Sequence, residues 1–209
     1  MKYITNRTAA IAACAALALS AGVARGAITG SAHDFSGKSW NASGEICITC
    51  HTPHNSDTTV TAAPLWNHKL TTATFQPYAS GTLKATVGQP TGVSKLCLSC
   101  HDGSVALDSF GGVTGTVPLP ATDPHYLGID LTNDHPVSFV YSTAATADSG
   151  LVTAASVSFV DTGSKVPLFG ATGTLECASC HDVHNSTGIA KLLVKANGAS
   201  ALCLTCHIK

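Results

Sequence analysis

Apolar residues are concentrated at the start of the chain and become scattered after it. Lys2 and Arg7 precede an apolar run from about Ala9 to Leu19, and small residues follow up to Ala27. A short basic segment, an apolar stretch of this length and a small-residue exit describe a secretory signal peptide. Cleavage after Ala24 or Gly26 is expected, so residues 1–26 form the signal and 27–209 the mature chain. The run is too short to span a bilayer, and no later segment approaches eighteen or so consecutive apolar residues, so no transmembrane segment is expected. Ile11-Ala12-Ala13-Cys14 resembles a lipoprotein box. It lies close behind Arg7, however, and the apolar run continues beyond it, so Cys14 is read as part of an ordinary signal.

Past the signal, regular patterning is sparse. Val137–Tyr141 and Leu151–Val160, within the long middle from Asp102 to Glu176, are the only strand-like stretches. Thr71–Thr91 and Gly111–Pro124 read as loops, rich in Gly, Thr and Pro. Aromatic residues make up 6% of the chain and charged residues 11%, so few large side chains are available to build a core. By length the mature chain is one domain.

Candidate chemistry changes this picture. Cys-x-x-Cys-His occurs four times, at Cys47–His51, Cys97–His101, Cys177–His181 and Cys203–His207. This is the attachment spacing of haem c. Two cysteines (Cys47 and Cys50, Cys97 and Cys100, Cys177 and Cys180, Cys203 and Cys206) would add to the porphyrin vinyl groups, and the following histidine would bind iron. Zinc knuckles and thiol–disulfide motifs also use Cys-x-x-Cys, but neither requires a histidine directly after every second cysteine. The expected fold is therefore a multihaem cytochrome c. It is mostly irregular coil, with short helices at the CxxCH motifs, a few short strands and a core organised by four covalent haems. Leu96, Leu98, Leu202 and Leu204 would flank the haem edges.

The motifs pair into two halves, about 27–115 and 116–209. Each half has a CxxCHxxHN site, ending at Asn55 or Asn185, followed by a CLxCH site, a pattern that points to duplication. The only methionine is Met1, so the sixth iron ligand must be something else. Six histidines lie outside the motifs: His33, His54, His68, His125, His135 and His184. They suffice to give His51, His101, His181 and His207 each a second imidazole. His54 and His184 follow a motif histidine by three residues, on one side of a turn. The axial ligands of one iron approach from opposite faces, so His54 and His184 are expected to reach a different haem. His135, in Asn133-Asp134-His135-Pro136, and His33, ahead of the first motif, complete the preferred ligand set. His33 could serve its own chain or a neighbour. His68 and His125 are the weaker candidates.

His33-Asp34-Phe35-Ser36, the CHTPHN run ending at Asn55, Pro64-Leu65-Trp66-Asn67, the CLSCHDG run ending at Gly103, Asp130–Pro136, ECASCHDVHN and ALCLTCH occur in this order. Together they resemble the OmcE-type tetrahaem cytochromes of bacteria that respire extracellular acceptors. Members of that group polymerise into extracellular filaments with a continuous haem chain. The resemblance implies bis-histidine haems, irregular backbone and a ligand position open to donation from the adjacent subunit.

Charge bears on partners. After the signal, eight lysines face twelve acidic residues, with no basic stripe for nucleic acid or anionic lipid and no lysine ring for docking. With every iron closable by histidine and no acid–base constellation beside a motif, an enzyme is not expected. A secreted or cell-surface electron conduit, reached through the periplasm, is favoured over a soluble periplasmic shuttle. Its partners would be other copies of itself, redox cytochromes or extracellular acceptors.

Overall fold

The computed structural model describes residues 28–157 and 166–209. The expected signal, Cys14 and the end of the second strand-like stretch lie outside the described residues. The backbone is mostly turns and coil with few short regular elements. The longest is helix α1, Gly92–His101, which follows Pro90 and begins after an extended Thr91. Leu96 and Leu98 on α1 are buried, Leu98 against Phe75 and Leu131. The turn that ends the helix needs Gly103, at φ +70°, because a Cβ there would lie 2.4 Å from the Tyr126 ring.

Strand β1, Phe139–Val140, pairs antiparallel with β2, Thr174–Leu175, in the register Phe139 to Leu175 and Val140 to Thr174. The strand expected over 137–141 contracts to two residues because helix α2, Tyr141–Ala147, begins at once. Over the described residues 151–157, the strand expected from Leu151 is not formed. Leu151 makes an isolated bridge to His207, and Ala154–Val157 forms the short helix α3. Ala154 and Ala155 favour helix over strand, and one turn is enough to carry Val157 into the core. Helix α4 is Cys177–Cys180, and 3₁₀ turns cover Ala190–Leu192, Gly198–Ser200 and Cys203–Thr205.

Among the described residues, apolar burial is divided between two small clusters. The larger joins Phe139, Tyr141, Ala144, Val157, Val166, Leu175 and Cys206. The fourth motif is thereby fastened to the β1–β2 pair. Leu202 packs at the edge of this cluster, whereas Leu204 is exposed. The Tyr141 hydroxyl lies 2.8 Å from the Val152 carbonyl and 3.2 Å from that of Cys206. Removing it takes the hydroxyl donor from the part-buried Val152 carbonyl, while Cys206 O keeps the Val152 N–H, so Tyr141→Phe is expected to cost about 1 kcal/mol in urea unfolding of the intact protein. An unchanged unfolding midpoint would contradict this anchoring role.

Candidate functional site

All four CxxCH motifs close in the same way. The backbone N–H of the motif histidine donates to the carbonyl of the first cysteine, at 2.8 Å for His51, 3.0 Å for His181 and 2.9 Å for His207. The remaining copy lies in the last turns of α1. One turn of this kind brings two cysteines three residues apart to the same side. None of the eight motif cysteines is joined to another in a disulfide. Burial pushes Cys50 and Cys180 up to about 11 and Cys100 up to about 12, so these stay protonated at neutral pH. Cys97 is also raised and Cys177 lowered, chiefly because the two thiols share a hydrogen bond. The second and third motifs thus touch, with α1 packed on α4.

The two CxxCHxxHN segments share a local backbone. His51 bridges antiparallel to Trp66, and His181 to Leu193. Thr52 N–H donates to Leu65 O and Asn67 N–H to Cys50 O; correspondingly, Asp182 N–H donates to Leu192 O and Val194 N–H to Cys180 O. Asn55 and Leu65 in one segment, and Asn185 and Leu192 in the other, take positive φ. In each segment the residue after the motif histidine shapes the next turn. Thr52 Oγ1 donates to His54 O, and Asp182 Oδ1 accepts from His184 N–H.

The motif imidazoles are oriented through Nδ1. His51 Nδ1 lies 2.7 Å from Pro64 O, His181 Nδ1 3.0 Å from Lys191 O, and His101 Nδ1 2.8 Å from His125 O. A carbonyl acceptor fixes the proton on Nδ1 and leaves Nε2 as a lone-pair donor, the arrangement a metal-bound histidine uses. Among the other histidines, His135 Nδ1 is held likewise, 2.9 Å from Pro136 O.

Three motif histidines face a second imidazole. Ring centroids are 6.0 Å apart for His33 and His101, 6.3 Å for His51 and His184, and 6.3 Å for His135 and His207. Two imidazoles on opposite faces of one metal ion, each at about 2 Å, put their centroids about 6 Å apart. The residues present therefore fit an iron between each pair. His33 Nδ1 is buried with no hydrogen-bond partner. Burial, then the neighbouring His101, pulls the His33 pKa down to about 4, which keeps the ring neutral as ligation requires. Burial and the nearby His135 lower His207 as well. His184 faces His51 rather than His181, three residues before it.

The remaining histidines differ from these. His68 is buried, with Nδ1 2.9 Å from Lys69 O and Nε2 3.1 Å from Ala106 O, so both ring nitrogens are engaged. His125 is exposed, and its Nδ1 lies 2.9 Å from Asp123 Oδ1. Its carbonyl, which carries no sequence signal, orients His101. His54 is exposed. His181 is exposed too, and among the described residues it has no facing ring of the kind found for the other three motif histidines.

Among the described residues no three His, Cys, Asp or Glu side chains converge to hold a metal ion by themselves. The motif cysteines and histidines are thus not gathered into tetrahedral zinc sites, whereas a porphyrin, which supplies four nitrogens of its own, needs only the two axial rings. No helix among the described residues is long and apolar enough to cross a membrane. No curated protein matches the chain. Residues 170–209, which contain the third and fourth motifs, match the doubled CXXCH motif family. The match and the motif turns together indicate a multihaem c-type cytochrome, and the CXXCH motifs imply covalent binding of haem c.

Proposed function

We propose that the protein is an exported tetrahaem electron conduit, with every iron bound by two histidines, that polymerises into an extracellular filament for the respiration of external acceptors. The observation that carries this reading is the pairing of imidazoles about 6 Å apart at three motifs but, among the described residues, not at the third, that of His181. His33 completes the site of His101, His184 that of His51, and His135 that of His207. His54, exposed and opposite no motif ring among the described residues, completes the site of His181 in the next subunit. His33, which its place near the mature N-terminus made the first candidate for donation to a neighbour, instead faces a motif of its own chain.

Bound haem supplies reversible one-electron chemistry. The chain's own residues fix where that chemistry is held. With both axial positions filled by imidazole, no face is left for a substrate, which argues for transfer rather than catalysis. His181 and His184 sit three residues apart on one segment yet serve different sites, so this segment ties the third site to the first. A chain with two small apolar clusters also has a place for porphyrin surface as its main core. A histidine given in trans makes a heterologous contact, which propagates unless it closes into a ring. Partners are then other copies of the chain, together with redox cytochromes or extracellular acceptors at the ends.

Intact mass of the secreted protein is expected to exceed the mature polypeptide by four haems, and a bare-chain mass would overturn the reading. His184→Ala is expected to retain four haems and open one iron to carbon monoxide, the iron above His51. Four six-coordinate irons in that variant would remove His184 from the ligand set. His54→Ala is expected to give discrete particles in electron microscopy where the parent gives filaments. Parent material seen only as monomers with four closed irons would make the protein a diffusing shuttle instead.

A further inference from the structure

Glu176, directly before the third motif, is 3% exposed. Among the described residues no cationic side chain pairs with it. Its carboxylate is instead surrounded by neutral donors. Ser94 N–H lies 3.2 Å from Oε2, the Ser94 hydroxyl donates to the same oxygen, and the Ser138 hydroxyl is 3.0 Å away. The backbone N–H of Ser179 donates to the Glu176 carbonyl at 2.8 Å, and the Ser179 hydroxyl accepts from the Glu176 N–H at 2.9 Å. Ser94 and Ser179 are the third residues of α1 and α4. The carboxylate therefore caps α1, at the end where its backbone presents unpaired N–H groups and partial positive charge, while the Glu176 backbone opens α4. Thr91, at the usual capping position of α1, makes no side-chain cap of its own. The close approach depends on Gly92, since a Cβ there would lie 2.8 Å from Glu176 Oε1.

We propose that Glu176 positions the two inner haem sites, Cys97/Cys100 and Cys177/Cys180, and sets their reduction potentials as a buried anion shared between them. The inference rests on reading the CxxCH motifs as haem sites. Hydrogen bonds from three donors, the Ser94 N–H and the Ser94 and Ser138 hydroxyls, surround the carboxylate in place of a counter-ion. A buried negative charge beside a haem favours the ferric state, which carries one more positive charge than the ferrous, and so lowers the potential. The anion acts mainly on the second and third sites, because Ser94 lies one turn before Cys97 and Glu176 is joined to Cys177.

Spectroelectrochemical titration of full-length secreted Glu176→Gln, after its haem content has been measured by mass, tests this. The variant keeps shape and one acceptor oxygen but removes the charge. Two of the four redox transitions should move to higher potential, with the reduced-to-oxidised ratio at a fixed potential rising about three- to tenfold, and the low-spin spectrum unchanged. Glu176→Asp, which keeps the charge, should leave all four transitions close to their parent positions. Four haems with no shift in Glu176→Gln would overturn the proposal while leaving the motif reading intact. A parent protein that lacks haem would overturn that reading itself, and the proposal with it. If Glu176→Gln fails to mature but Glu176→Asp carries four haems, the charge is required to hold the inner sites. If both fail, the residue is a packing requirement and the electrostatic role is rejected.

Discussion

The hydrogen bond from each motif histidine N–H to the carbonyl of the first cysteine is the constraint on which the rest of the chain depends. It folds five residues into one turn, sets two sulfurs on one side and fixes where the imidazole begins. The surrounding chain then needs to do little more than aim that imidazole. Carbonyls from Pro64, His125 and Lys191 do so from 13, 24 and 10 residues away. Such economy suits a chain with few large apolar side chains. Loops can run irregularly between the turns because the turns themselves define the sites.

A second layer of order comes from buried polar groups. Asp102, next to His101, is buried and accepts from Thr71 Oγ1 at 2.5 Å, Ser104 N at 2.7 Å and Ser104 Oγ at 2.9 Å. Ser99 Oγ accepts from Thr71 N–H at 3.0 Å. Glu176 plays the corresponding part before the third motif. In a protein short of apolar bulk, satisfied hydroxyl and carboxylate networks fix the position of one segment against another, and each becomes costly if one member is lost.

Much of the site was legible in the sequence because its chemistry is local. The four motifs and the repeated CHxxHN pattern could be read from spacing, and of the expected ligands His33, His54, His135 and His184 all but His54 lie opposite a motif histidine among the described residues. The steric argument that His184 must look away from His181 agrees with its position opposite His51. What could not be read depends on long-range approach. Ser94 and Glu176 are separated by 82 residues, and no periodicity announces their contact. Pairing His33 with His101 likewise requires knowing how the N-terminal segment returns. The strand expected from Leu151 failed for a different reason. Alternation of apolar and polar residues there competes with two alanines that favour a helical turn, and a single turn was enough to bury Val157.

On the proposed function, three sites are closed within the chain and the remaining one, that of His181 at the third motif, is closed by another copy. Carbon monoxide binding to the reduced protein, counted per chain, measures this most directly when it is followed across dilution from assembled to dissociated material. Assembled protein should bind none, and dissociated chains should bind about one equivalent each, at the iron above His181, with the binding lost again on reassembly. Dissociated chains that bind none would show that every ligand is supplied in cis, and two or more equivalents would break the pairing of His33, His135 and His184 with their motif histidines.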